Sequence, residues 1–309
     1  MNLRKFSKLG TIIALAASLV ACGGNQANNT KAEEAATNNA AAETAQTETT
    51  GGATGGINVI SREQGSGTRS AFTELTGVLV KEGEEEVDKT YEEAAVQSST
   101  DAVLTTVQND AQAIGYISLG SLNDSVKAVK VEGAEATPEN IKDGSYKLAR
   151  PFNVAYKADV DEKAKDLITF IMSDDGQKIV EEEGYVGDAT GQAYTAIDND
   201  AHITIAGSTS VSPLMEKLAE AYKGLNPNCQ IDIQSNGSSA GMTAAMEGTA
   251  ELGMASRELK DEEKSALEFT VIARDGIAVI VNNENPTEDL TMEQLRQIFT
   301  GEVTEWDAL

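Results

Sequence analysis

The stretch Ile203-Thr204-Ile205-Ala206-Gly207-Ser208-Thr209-Ser210-Val211-Ser212-Pro213-Leu214 decides the fold of this chain. Ile203 to Ala206 read as a short apolar strand, and Leu214, Leu218 and Tyr222 then recur at the spacing of one helix face. Between them lie Gly and hydroxyl residues, with Pro213 suited to a first helical position because the N–H it lacks has no partner there. Strands alternating with helices make an α/β architecture with mainly parallel sheets. Such sheets bind ligands where strands end and helices begin.

Working outward, the same unit recurs twice. Asn236-Gly237-Ser238-Ser239-Ala240-Gly241 follows a strand at Ile231 to Gln234, and Ser61-Arg62-Glu63-Gln64-Gly65-Ser66-Gly67-Thr68-Arg69 follows one at Ile57 to Ile60. Further strands are expected at Ile114 to Ile117, Phe152 to Tyr156, Val271 to Ala273 and Ile277 to Val281. Leu167, Phe170 and Ile171 share a helix face, and Thr291 with Gln294 forms a capping box ahead of Met292, Leu295 and Ile298. Each Gly-rich loop offers free backbone N–H groups, hydroxyl donors and a positive helix end to an anion. Only the third adds a guanidinium, Arg62, that can grip an oxyanion through two hydrogen bonds. Any one loop is explained by helix capping alone; three in one chain favour an anion. None carries the phosphate-loop or dinucleotide glycine pattern, so nucleotide binding is disfavoured.

The composition narrows the classes. Of 309 residues, 24 are Lys or Arg and 50 are Asp or Glu, a formal net charge of −26, which disfavours nucleic acid and a polybasic membrane patch. Two Cys and one His cannot build a structural zinc site, so any metal would have to rest on carboxylates, and nothing calls for a cofactor. His202, the single His, gives a Ser-His-Asp triad little footing.

The first residues read as targeting signals. Arg4, Lys5 and Lys8 precede an apolar run ending in Leu19-Val20-Ala21-Cys22, so residues 1–22 resemble a lipoprotein signal peptide with Cys22 as the lipidated residue. Removing the peptide with those three positive charges takes the net charge from −26 to −29. Residues 23–56 lack aromatic and branched aliphatic side chains and read as a flexible tether of roughly 30 Å. Cys229 is left without a partner, as an ordinary strand-edge residue. Gly187 to Asp200 reads as a linker between 57–186 and 201–309.

At its loops the chain resembles the phosphate-binding proteins that feed ABC-type phosphate importers. Residues 203–309 are similar to that family's first half, through Gly-Ser-Thr-Ser-Val-Ser-Pro, Gly-Ser-Ser-Ala-Gly, Met-Ala-Ser-Arg-Glu-Leu-Lys and Ile-Phe-Thr-Gly-Glu-Val-Thr-Glu-Trp. Residues 57–186 are similar to its second half, through Ser-Arg-Glu-Gln-Gly-Ser-Gly-Thr-Arg, Gly-Tyr-Ile-Ser-Leu-Gly and Leu-Ala-Arg-Pro-Phe. The halves stand in reversed order. The resemblance therefore implies a two-lobed, type II periplasmic-binding-protein-like fold, circularly permuted, with its usual termini joined through 187–200. One lobe would be continuous, 150–275, the other split into 57–149 and 276–309, and Gly56 and Leu309 would lie close together.

The resemblance also implies a site. The phosphate ligands fall on Thr209 and Ser210, on Ser238, and on Arg62, Ser66, Gly67 and Thr68, with Ser239 a weaker candidate. Some relatives place an Asp at the Arg257 position to accept the phosphate proton; here Ser256, Asp275 or backbone acceptors stand in for it. Some also place an acid at Gln64 to orient the Arg, whereas Glu63 on an extended segment would point the other way. The implied function is capture of inorganic phosphate by a lipid-anchored extracytoplasmic monomer, a non-enzyme, and its delivery to the membrane subunits of an ABC-type phosphate permease. Alternatives are another tetrahedral oxyanion such as sulfate, a secreted hydrolase using Ser66 or Ser210, or a non-binding surface or signalling relative.

Overall fold

The computed structural model describes residues 54–83 and 85–309. The expected signal peptide, Cys22 and the tether through residue 53 lie outside the described residues. Among the described residues no helix is long and apolar enough to cross a membrane, and no cluster of His, Cys, Asp and Glu could hold a metal ion.

The chain begins with β1 (Asn58–Arg62), α1 (Gly67–Thr76), a hairpin of β2 (Leu79–Glu82) and β3 (Glu85–Asp88), β4 (Ala95–Gln97) and α2 (Thr100–Gln108). It continues with β5 (Ala113–Ser118), β6 (Lys127–Val131), α3 (Pro138–Asp143), β7 (Ala149–Tyr156), α4 (Glu162–Met172) and α5 (Asp174–Glu182). Then come β8 (His202–Gly207), α6 (Ser212–Leu225), β9 (Gln230–Ser235), α7 (Ser238–Glu247), β10 (Leu252–Ala255) and α8 (Asp261–Ala266). The last elements are β11 (Glu268–Val281), β12 (Asp289–Leu290) and α9 (Met292–Phe299).

Ten strands join in one sheet in the order β4-β1-β5-β11-β7-β10-β8-β9, with β6 branching from β11 and β12 pairing with β6. The outer strands pair in parallel, β1 with β4 and β5, and β8 with β9 and β10, as strands joined by crossover helices do. The centre departs from the expectation of mainly parallel pairing. There β11 runs antiparallel to β5, β6 and β7, and β10 runs antiparallel to β7. The two strands expected at Val271 to Ala273 and Ile277 to Val281 are one 14-residue strand, with a register shift between Val271 and Ala273. The polar Arg274-Asp275-Gly276 continues the ladder against Pro151, Arg150 and Ala149.

These long strands pass between two hydrophobic cores. One gathers Phe152, Leu167, Phe170, Ile171, Leu214, Leu218 and Tyr222, so the expected faces of α4 and α6 pack together. Cys229, just ahead of β9, is buried in the same core. The other core gathers Ile57, Phe72, Tyr116, Leu148, Ile277, Phe299 and Trp306, with Phe72 stacked on Tyr116 at 4.1 Å between ring centres. Burying each large side chain contributes about 1.5–3 kcal/mol. Residues 187–200 form neither helix nor strand, yet they lie along the first of these cores. Thr190 donates to the Met172 carbonyl, and Asn199, 1% exposed, donates to the Lys163 carbonyl and to the Tyr222 hydroxyl. At the other end, Gly56 bridges Glu305, Ile57 donates to Thr304, and Trp306 donates to Gly55. The chain's last residues thus lie beside its first described ones.

Candidate functional site

Four helices begin where parallel strands end. The loop from β8 to α6 turns at Gly207, whose φ of 145° favours glycine and where a Cβ would stand 2.2 Å from the Met254 carbonyl. Its Ser208 donates through the backbone to Met254 and through Oγ to Ser256, and accepts from the Ser210 N–H. The loop from β9 to α7 turns at Gly237, φ 93°, and places Ser238 first in α7, where its Oγ accepts from the Ser256 N–H at 3.2 Å. The loop from β1 to α1 places Ser66 as N-cap, with Gly67 and Thr68 opening the helix. The sequence reading misses a fourth start, Ser99 capping α2 with Thr100 first in it. Its signal is the Ser-Thr pair ahead of Val103, Leu104 and Val107, without the glycine that marks the others.

Side chains from the two sides meet at these starts. The Thr68 and Ser210 hydroxyls share a hydrogen bond of 2.8 Å, and Thr100 Oγ1 lies 3.4 Å from the same Ser210 oxygen. Arg62 Nη2 donates to Thr209 Oγ1 at 3.0 Å, and the Ser239 N–H donates to the Gly65 carbonyl at 3.1 Å. Gly67 packs so closely that a Cβ there would lie 2.3 Å from Ser238 Oγ and 2.7 Å from Ser256 Oγ. Arg62, Ser66, Thr68, Ser210, Ser238 and Ser256 are all buried. Nine of the ten candidates, Arg62, Ser66, Gly67, Thr68, Thr209, Ser210, Ser238, Ser239 and Ser256, therefore converge at one place.

Arg62 is held differently from the expectation. Its Nε and Nη2 donate to the two oxygens of Glu63 at 2.8 and 2.9 Å, so the neighbouring acid does orient it. Alternation along an extended segment fails as a guide because β1 ends at Arg62. The chain then turns through Gly65, φ 87°, with the Ser66 N–H donating back to Glu63. Tyr116 and Arg69 brace the arginine's backbone: the Arg62 N–H donates to the Tyr116 hydroxyl and Arg69 Nη1 donates to the Arg62 carbonyl. Burial pushes the Tyr116 hydroxyl above its ordinary range, so it stays protonated and bonds Ser61 as well.

The remaining candidate, Asp275, stands apart from these loops. Its carboxylate takes Ser118 Oγ at 3.0 Å and Arg150 Nε and Nη2 at 3.1 and 2.9 Å, and burial raises its pKa against those partners. Arg257 is turned away into a buried pair with Glu263 at 2.7 and 2.8 Å. His202 stands at the start of β8 in an exposed contact with Asp232, whereas Ser210 follows the other end of that strand, about 17 Å away at 3.3 Å per residue. It cannot serve as a base for Ser210. The site is a closed set of hydroxyls, helix N-termini and one oriented guanidinium, suited to holding a tetrahedral oxyanion.

Comparison with known proteins agrees with this architecture. The model of the PBP superfamily domain matches residues 13–175 and 188–309. Phosphate-binding protein PstS 2 of Streptococcus pneumoniae serotype 4 is 46% identical over 309 residues, covering 99% of both chains. The crystal structure of a phosphate ABC transporter, phosphate-binding protein, from Streptococcus pneumoniae TIGR4 superposes with a TM-score of 0.68 at 50% identity, over 82% of this chain and 99% of that one. Phosphate-binding protein PstS of Pseudomonas aeruginosa is 40% identical over 108 residues, 32% of this chain and 33% of that one. The chain belongs to the PBP superfamily and, within it, to the family of the PstS phosphate-binding proteins.

Proposed function

We propose that this protein is an extracytoplasmic solute-binding protein that captures inorganic phosphate between two lobes and delivers it to the membrane subunits of an ABC-type permease. The observation that carries the reading is the meeting of Arg62 and Thr68 with Thr209 and Ser210, which joins residues more than a hundred positions apart into one largely buried donor set. The proposed ligands are Arg62, Ser66, Gly67, Thr68, Thr209, Ser210, Ser238 and Ser239, with Thr100 added from the fold. Ser256 is proposed as the group facing the phosphate proton, since Asp275 has its oxygens engaged elsewhere. Anchoring through a lipid on Cys22, a tether to residue 56 and a monomeric state complete the proposal.

Isothermal titration with phosphate and with sulfate tests it. Phosphate is expected to bind, and Arg62→Ala to weaken it at least about tenfold, because a buried hydrogen bond to a charged group contributes about 1.5–3 kcal/mol. Unchanged affinity in that variant places the ligand elsewhere. Sulfate binding as tight as phosphate binding overturns the ligand assignment while leaving the cleft.

We further propose that the order of the chain is a circular permutation, with lobes at 150–275 and at 57–149 plus 276–309. Two observations support it. The segment ends at Gly55 to Ile57 and Thr304 to Trp306 are hydrogen-bonded neighbours, and the Pseudomonas relative aligns over only a third of each chain.

A further inference from the structure

The strands β1, β5, β11 and β7 are consecutive neighbours in the sheet. Arg62 ends β1, Ser118 ends β5, and Asp275 and Arg150 oppose each other directly on β11 and β7. Ser118 donates to Asp275, and Asp275 takes two hydrogen bonds from Arg150. Ser118, Asp275 and Arg150 thus form a polar cluster on the strands that pass between the two cores, in the same run of strands that Arg62 begins. Arg150 is 3% exposed, and its Nη1, which is also buried, meets no acceptor among the described residues. A buried guanidinium N–H without an acceptor is strongly unfavourable, and one edge of this guanidinium is already taken by Asp275. Burial pulls the Arg150 guanidinium below its ordinary range and Asp275 opposes that pull, while the charge of nearby Arg62 adds to it. Each of the two arginines is tied to one carboxylate, Arg62 to Glu63 and Arg150 to Asp275.

We infer that Arg150 supplies a second positive charge to the bound anion from the base of the cleft, and that Asp275 attenuates that charge. The inference rests on the phosphate reading and deepens it. Because β7 passes between the two cores, an anion that engages Arg150 is tied to the joint between them as well as to the helix starts.

The test uses the full chain and inorganic phosphate, followed by titration calorimetry, with folding checked by thermal melting. Arg150→Met/Asp275→Leu removes the buried pair together, a replacement that apolar side chains of similar volume commonly tolerate. This double variant is expected to fold and to bind phosphate at least about tenfold more weakly. Asp275→Asn, which leaves the guanidinium unopposed, is expected to bind phosphate about threefold or more tightly at low salt. That gain is expected to persist at high ionic strength, because salt screens charges buried together only weakly. A purely structural pair gives losses of affinity in both variants, and that outcome overturns the inference. Parent-level affinity in a folded double variant overturns it too. Failure of the parent chain to bind phosphate is a separate result that overturns the phosphate reading, and the role of Arg150 with it.

Discussion

Gly67 leaves no room for a side chain when the two sides of the cleft meet. Its φ lies outside the left-handed region, so the backbone itself accepts alanine, and alanine is the better helix former. The obstacle is across the cleft, where Ser238 Oγ and Ser256 Oγ would stand 2.3 and 2.7 Å from the new methyl group. Gly67→Ala is therefore expected to melt at or slightly above the parent temperature, yet to bind phosphate at least about tenfold more weakly because closure is blocked. Calorimetry beside a thermal melt checks both halves, and unchanged affinity would show that the cleft closes differently. At this scale the sequence is a good guide to residue types and a poor one to orientation. Arg62 and the hydroxyls at 68, 209, 210 and 238 are legible from Gly-rich helix starts. The Arg62–Glu63 pair is not, because it depends on β1 ending at Arg62, and strand ends leave no periodic signal.

Among elements, α8 shows how a buried pair is built from a helix start. Glu263 lies in its first turn, accepts from the Lys260 N–H and takes two hydrogen bonds from Arg257. Burial alone would raise the carboxyl; the bonds from Arg257 and Lys260 outweigh it and hold Glu263 below its usual 4.5. A carboxylate lowered on folding stabilises the fold above its unfolded value, and that contribution is lost as pH falls through the folded value. Glu263→Gln, which keeps the shape and removes the charge, is expected to cost about 2 kcal/mol at pH 7. The gap between variant and parent should stay level down to about pH 5 and shrink below about 4.5 in urea unfolding. A gap that does not narrow as pH falls below about 4.5 would mean that the lost stability is packing rather than charge. The capping box at Thr291 and Gln294 and the apolar faces of α4 and α6 are legible because capping and helical period are local. The four-residue β10 is not, since so short an apolar run has no period of its own, and the acidic β2–β3 hairpin is hidden inside a run of charge.

For the whole molecule, a net charge of −26 sits oddly beside capture of a dianion until charge is placed in space. Arg62, Arg150 and Arg257 are each matched by a carboxylate, so binding rests on short-range donors, and distant acids are screened beyond about 8–10 Å. Chain order is legible only through resemblance, because reversed halves leave every local pattern intact. If the order is a permutation, the fold should survive being permuted back. The ends at Gly55 to Ile57 and Thr304 to Trp306 are already hydrogen-bonded, so a short Gly/Ser linker from Leu309 to residue 54 closes a small loop, and each doubling of its length costs only about 0.6 kcal/mol. New termini can open between Gly191 and Gln192, which are exposed, leaving Thr190 and Asn199 docked on either side. This rearranged chain, from which residues 1–53 are omitted, is expected to melt within about 5 °C of a parent truncated in the same way, a shift corresponding to about 1–2 kcal/mol at this size. It is also expected to bind phosphate within about threefold of that parent, a difference under about 1 kcal/mol. Loss of cooperative melting would show that residues 187–200 must be continuous for the fold to form, and would remove the permutation from the account of this chain.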